Sequence, residues 1–194
     1  MQKREFLLKS AAAFAAVALS ACTTTPLTGA DSPAKRSEID DKVQSTLTKL
    51  YDTVPGSREL ANKSKGMLVF PAVLAAGFVV GGEYGEGALR IGGRSVDYYN
   101  LVTGSLGFQI GAQSKAMIFL FMTDEALSKF RASHGWTAGV DASVALVKIG
   151  ANGNIDVKTA TQPVNLIVMT NEGLMANLNI EGTKITKLDT TKNR

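Results

Sequence analysis

The sequence contains one cysteine and one histidine among its 194 residues. A single cysteine excludes an intrachain disulfide. One cysteine and one histidine also argue against a Cys/His zinc cluster and against a Cys–His catalytic dyad. Beyond the N-terminal region, no apolar run reaches the roughly eighteen residues that a membrane-spanning helix needs. Hydrophobic residues make up 45% and charged residues 20%, which excludes wholesale disorder. The composition therefore predicts a globular chain with one main domain and no metal or other cofactor.

The excess of positive charge comes partly from the first residues. Leaving out Lys3, Arg4, Lys9 and Glu5 lowers the formal net charge from +4 to +2. The rest of the chain has no basic stripe, no arginine-rich helix and no aromatic residues interleaved with lysine or arginine. These are the features typical of nucleic-acid binding, so we expect no nucleic acid among the partners.

The N-terminal segment has the pattern of an export signal. Lys3 and Arg4 form a positive start, and an alanine-rich apolar stretch from Ala11 to Leu19 follows, as in a signal peptide. The next residues, Leu19-Ser20-Ala21-Cys22, resemble the lipobox of bacterial lipoprotein precursors. That resemblance implies cleavage before Cys22, diacylglycerol on its thiol, and an acyl chain such as palmitate on the new amino terminus. The alternative is an ordinary signal peptide with a chance cysteine.

The lipobox resemblance also implies a location. An aspartate after the lipidated cysteine is the usual signal for retention in the inner membrane, whereas this chain has Thr23. The family rule therefore implies a lipid-anchored protein of the Gram-negative outer membrane, on either its periplasmic or its outer face. Three acyl chains would contribute on the order of 30 kcal/mol to membrane binding, so the anchor would be permanent. We predict a signal peptide over 1–21, a lipidated tether over 22–36, a folded domain over 37–190 and a polar tail over 191–194.

The folded part begins with helices. Ser37 is placed to cap a helix whose apolar residues recur at helical spacing: Ile39, Val43, Leu47 and Leu50. We expect this stripe to pack on a sheet, the alternative being insertion into lipid. Pro55-Gly56 ends this helix, and a short second helix is predicted over Arg58–Ser64. A third helix is predicted over Asp124–Ser133, with Thr123 as its N-cap.

Most of the remaining chain predicts β-strands rich in β-branched and aromatic residues. They are Met67–Phe70, Gly77–Ile91, Val96–Thr103, Ser105–Ala112, Lys115–Met122, Trp136–Ile149, Ile155–Thr159, Asn165–Thr170, Leu174–Ile180 and Lys184–Leu188. Turns are expected at Asn152-Gly153 and Asn171-Glu172-Gly173.

Glycine is concentrated in the first strands, with ten of the 19 glycines lying between Gly77 and Gly111. Glycine weakens a strand, so it marks tight curvature or the close approach of another backbone, and Gly82 and Gly85 are expected to be such positions. The predicted fold is therefore α+β: a strongly curved antiparallel β-sheet or partly closed barrel, with N-terminal helices and one inserted helix.

Several segments of the chain resemble the SYLF domain family. They are Lys65–Pro71, Ala76–Gly87, Gly107–Gln113, Phe121–Leu127, Gly139–Val144 and Asn171–Gly182. The resemblance covers about residues 40–188, although Glu172 stands where the family has a basic turn residue. Eukaryotic members bind phosphoinositide membranes, and some bind actin filaments. The resemblance therefore implies a module that binds lipid or a membrane surface, without naming the ligand.

Patterns that would support catalysis are incomplete. Glu83 and Glu86 point to opposite faces of a strand, where Glu86 is expected to pair with Arg90. Ser105 lacks the preceding glycine and the helix of a nucleophile elbow. His134 at the end of the third helix is expected to be a structural cap. We therefore predict no catalytic residue and no enzyme.

Basic residues of the two N-terminal helices are the candidates for lipid binding. They are Lys42, Lys49, Arg58, Lys63 and Lys65. Each lysine or arginine at an anionic membrane surface contributes about 1 kcal/mol. The alternative is a solvated helix face on which acids alternate with bases. The predicted function is a non-catalytic membrane lipoprotein that binds phospholipid, and the alternative is a structural or surface lipoprotein that binds a protein partner such as a host factor.

Overall fold

A computed structural model describes residues 32–77, 80–106, 114–147, 155, 162–170, 173–174 and 180–188. The predictions for the signal peptide, for Cys22 and for residues 22–31 of the tether lie outside these residues. So do those for the Asn152-Gly153 hairpin and the tail at 191–194.

The first helix, α1, spans Pro33–Thr53 and starts earlier than the sequence predicts. The side chain of Ser32 accepts a hydrogen bond of 3.1 Å from the backbone N–H of Lys35, so Ser32 and not Ser37 is the N-cap. Pro33 is the first residue of the helix, a position that favours proline because a backbone N–H there would have no partner within the helix. Residues 33–36 are therefore helical, which shortens the tether. The apolar stripe of α1 is buried, as expected.

Two shorter helices complete the helical content of the described residues. Helix α2 spans Ser57–Lys63, and α3 spans Asp124–Ala132 between two strands. The Thr123 side chain accepts a hydrogen bond of 3.1 Å from the backbone N–H of Ala126. The predicted N-cap of the inserted helix is thus confirmed.

Among the described residues, nine strands form one sheet. They are β1 Gly66–Gly77, β2 Val80–Ile91, β3 Arg94–Leu106, β4 Ser114–Phe121, β5 Trp136–Thr137, β6 Val144–Leu146, β7 Val164–Thr170, β8 Gly173–Leu174 and β9 Lys184–Lys187. The order is β5-β9-β3-β2-β1-β4-β7-β6, with β8 paired to β7. The pairing of β6 with β7 is parallel and the other strand pairings in the described part of the chain are antiparallel, so the sheet is mixed.

Three strand predictions need correction. Strand β1 continues through Pro71, because a register shift between Val69 and Ala72 forms a bulge that tolerates proline. Strand β3 passes through Gly104, where the sequence predicts a break. The predicted strand Trp136–Ile149 is instead two short strands on opposite edges of the sheet, separated by a turn.

This turn shows why the sheet must curl. Strand β5 ends at Thr137 and β6 begins at Val144, and these two strands are the two edges. A flat sheet of this order would hold its edges roughly 34 Å apart. Seven residues span at most about 25 Å. The sheet therefore closes into a half-barrel, which confirms the predicted α+β fold with a strongly curved sheet.

The curl separates two apolar cores. Inside the half-barrel, Trp136 of edge strand β5 packs its ring 6.0 Å from that of Phe119 on β4 and 5.7 Å from that of Phe130 on α3. These contacts join strands that are distant in the sheet order. On the outside, the apolar stripe of α1 packs on Val69 and Ile118. Both faces of the central strands are thus buried.

Glycines on the inner face of β2 permit the tight approach of β1. A Cβ atom on Gly87 would overlap the carbonyl oxygen of Val69 and lie 2.8 Å from a ring carbon of Phe70. A Cβ on Gly85 would lie 2.9 Å from Val73 Cγ2. Gly85 thus confirms the expectation of close approach. The expectation for Gly82 is wrong, since a Cβ there meets only one atom, at 3.8 Å.

We expect Gly87→Ala to destabilise the domain by a few kcal/mol, in the range of overpacked cores, because the backbone oxygen of Val69 cannot move aside freely. The midpoint of thermal unfolding should fall by about 4–8 °C. Gly82→Ala is the matched control on the same strand, and it should melt close to the parent. Equal melting of all three proteins would contradict the close approach of β1 to β2.

Candidate functional site

The outer face of the sheet carries an exposed row of apolar side chains beyond the reach of α1. Leu74, Tyr84 and Val102 are 52%, 43% and 49% exposed. They lie side by side in register on β1, β2 and β3, and we call them the outer row. The exposed Lys184 of β9 is the next residue in the same register, beside Val102.

The surface next to the outer row is smooth. Gly82 and Gly104 are register partners on β2 and β3, two residues along each strand from Tyr84 and Val102. A Cβ atom on Gly104 would meet no atom within 4 Å, so these glycines leave open surface without projecting side chains. The row can therefore be approached closely by a flat partner.

Helix α1 starts beside the outer row. Lys35 in its first turn forms an ion pair of 3.1 Å with Glu86, and the hydroxyl of Tyr84 donates a hydrogen bond of 2.9 Å to the same carboxylate. Burial and this hydrogen bond raise the pKa of Tyr84 to about 12, so its hydroxyl is neutral at physiological pH. The first turn of α1 thus lies next to the apolar outer row.

The predicted lipid-binding lysines are largely neutralised by neighbouring acids. Lys42 forms an ion pair of 2.5 Å with Glu38, and Lys63 one of 2.8 Å with Glu59. Exposed pairs of this kind contribute about 0.3–0.5 kcal/mol to helix stability. Lys49 is exposed on α1, and no ion pair within the described residues includes it. The structure therefore favours the alternative for Lys42 and Lys63, in which they belong to a solvated helix face.

The other two predicted residues lie elsewhere. Arg58 stacks over the ring of Tyr51 with its guanidinium carbon 4.3 Å from the ring centre. Lys65 is 3.4 Å from the exposed carboxylate of Asp124. Both lie near a groove between the C-terminal half of α1, helix α2 and the turn between β2 and β3. The five predicted residues therefore do not form one basic face.

Arg90 is a residue of this groove that the sequence interpretation assigned wrongly. Its Nη1 donates a hydrogen bond of 2.8 Å to Gln44 Oε1, and its Nη2 donates to the carbonyl oxygen of Gly93. The predicted ion pair between Glu86 and Arg90 is absent, because Glu86 pairs with Lys35 of α1. The alternation of β2 places both residues on the outer face, but the sequence does not show where α1 crosses that face.

The carboxylate pair considered for catalysis is split between the two faces, as predicted. Glu83 points inside the half-barrel and forms an ion pair of 2.7 Å with Lys115, the two side chains being only 9% and 10% exposed. Glu86 lies outside. In the part of the chain that the structure describes, no three potential metal ligands come together. Within the same residues, no helix is long and apolar enough to cross a membrane.

The C-terminal part of the chain matches a known protein family. A family model described as Ysc84, Las17-binding protein actin regulator, matches residues 102–194. No curated protein matches the chain. The matched segment begins in β3 and includes the turn that joins the two sheet edges, and the strands that precede it belong to the same sheet. Residues 102–194 therefore match a Ysc84-type domain, which is consistent with the SYLF domain that the sequence predicts.

Proposed function

We propose that this protein is a non-catalytic lipoprotein of the outer membrane, and that its domain binds the phospholipid surface through the outer row. The observation that carries the proposal is the position of that row: three exposed apolar residues in register, beside the start of α1. A SYLF domain supports a binding role, and the lipobox at Cys22 supports membrane attachment.

The chemistry of the outer row suits the interface of a bilayer. Tyrosine has an apolar ring and a polar tip, and lysine extends an aliphatic stem with its charge toward the head groups, as Tyr84 and Lys184 can do here. Burying three half-exposed apolar side chains contributes about 3 kcal/mol. A binding free energy of this size corresponds to a dissociation constant above about 1 mM. The contact is therefore effective only if an anchor holds the domain near the membrane.

The proposed anchor at Cys22 is close in sequence to the start of α1. Helix α1 is capped by Ser32, which leaves ten residues from Cys22 to the cap. Ten residues span at most about 36 Å even when fully extended. The lipidated terminus would therefore keep the start of α1, and the outer row beside it, close to the head groups.

We expect Cys22→Ser to leave an unprocessed or mis-sorted precursor, because only the thiol can accept diacylglycerol. Mass spectrometry of the membrane-bound parent should show the mature chain beginning at a lipidated Cys22. An unmodified Cys22 thiol in that fraction would contradict the lipid anchor, while leaving the domain's own membrane contact open to the next test.

We expect a domain beginning at Ser32 to sediment weakly with phospholipid vesicles at millimolar lipid, and a triple Leu74→Ser, Tyr84→Ser, Val102→Ser variant to lose this binding. Val140→Ser is the matched control, because Val140 is 78% exposed but lies in the turn between the sheet edges. Raising the salt concentration should change the binding little, since Lys42 and Lys63 are paired.

Two results of the vesicle measurement would count against the proposal. Equal binding by the triple variant and the parent would exclude the outer row as the contact. Absence of sedimentation by the folded parent would favour the alternative function, in which the domain binds a protein partner. Circular dichroism of each variant checks that it is folded.

A further inference from the structure

The groove beside α1 is the second feature of the outer side, and it differs in chemistry from the outer row. It has a volume of about 410 Å³. We call it the helix–turn groove, and residues from five segments line it: Gln44, Leu47, Tyr51, Ala61, Asn62, Ser64, Lys65, Gly66, Met67, Arg90, Gly92 and Gly93. None of these residues is acidic, whereas two are cationic.

Arg90 occupies the groove with its charge uncompensated. The two hydrogen bonds of its guanidinium group go to neutral oxygens, on Gln44 and Gly93. No ion pair within the described ranges includes Arg90, and its Nε atom is buried without a hydrogen-bond partner. A buried donor without a partner is unfavourable, so an acceptor beside Nε would stabilise it.

Two further cations border the same space. Arg58 lies over the ring of Tyr51, which lines the groove, and no ion pair among the described residues includes Arg58. Lys65 has Asp124 as its partner at 3.4 Å, but the side chain of Asp124 is 81% exposed. Such a solvent-exposed pair contributes little and can exchange partners. Lys65 and Arg90 line the groove and can thus face one bound anion, with the charge of Arg58 close by.

The turn between β2 and β3 leaves the groove open. Gly92 and Gly93 have φ angles of +58° and +81°, which glycine adopts without strain. A Cβ atom on either would meet no atom within 4 Å, so the turn has free space beside it. An oxyanion can therefore come close to Arg90 from the solvent side.

We infer that the helix–turn groove binds the phosphate group of a small phosphorylated ligand. Arginine presents paired N–H donors that match a phosphate, and such charge-assisted hydrogen bonds are among the strong ones in proteins. The groove's volume lies within the usual range for small-ligand sites, so it has room for a phosphate and the group that carries it. This site lies at the C-terminal half of α1, away from the outer row, and its existence does not depend on the membrane contact.

The test uses the full-length protein in neutral detergent, with isothermal titration calorimetry against two probes: inorganic phosphate and glycerol 3-phosphate. We expect Arg90→Gln to weaken binding of glycerol 3-phosphate by about tenfold or more. Lys63→Gln is the matched control, because it removes one positive charge that is already paired with Glu59 outside the groove. It should keep the parent affinity within about twofold. Thermal melting confirms that both variants fold.

A third arm separates the two possible sources of the phosphate. Binding to phosphatidylglycerol vesicles, but to neither soluble probe, would assign the groove to a lipid head group if Arg90→Gln removes that binding. The triple variant of the outer row should keep its affinity for glycerol 3-phosphate, so this result does not depend on the proposed function. The inference is overturned if no probe binds, or if Arg90→Gln and Lys63→Gln bind every probe equally.

Discussion

The short turn between β5 and β6 is the constraint on which the architecture depends. It joins the two edges of the sheet that the described residues form, so the sheet has to curl until a turn of this length can connect them. The turn is closed by hydrogen bonds: the side chain of Asp141 accepts one of 2.6 Å from the N–H of Thr137, and Gly139 adopts a φ of +83°. The curl in turn requires glycine at positions 85 and 87, where β1 passes too closely for any side chain.

The curl also determines what the outside of the domain can offer. Helix α1 crosses the outer face and buries its apolar stripe there, leaving a different surface at each end. Near its start lies the uncharged outer row, and near its C-terminal half lies the groove with Arg90 and Lys65. In our account, the first surface meets the membrane and the second remains available for a phosphorylated ligand.

Local patterns in the sequence were enough to predict the helical stripe of α1, the cap at Thr123 and the curved α+β fold. Features that depend on distant parts of the chain were not predictable. The apolar run from Trp136 is typical of one long strand, and only the pairing with β9 and β7 shows that it belongs to two edges. The same holds for Arg90, whose neighbours depend on where α1 crosses β2. The exposure of Tyr84 follows from the length of sheet that α1 leaves uncovered.

Hydroxyl-radical footprinting of the full-length protein, in detergent and again in phospholipid vesicles, tests the proposed membrane-facing orientation most directly. We expect oxidation of Leu74 and Tyr84 to fall on transfer to vesicles, because these side chains become covered by lipid. Oxidation of Val140 in the turn between the sheet edges should stay unchanged. Protection of Val140 with undiminished oxidation of Leu74 and Tyr84 would contradict the account, since it would place the turn between the sheet edges, and not the outer row, on the membrane.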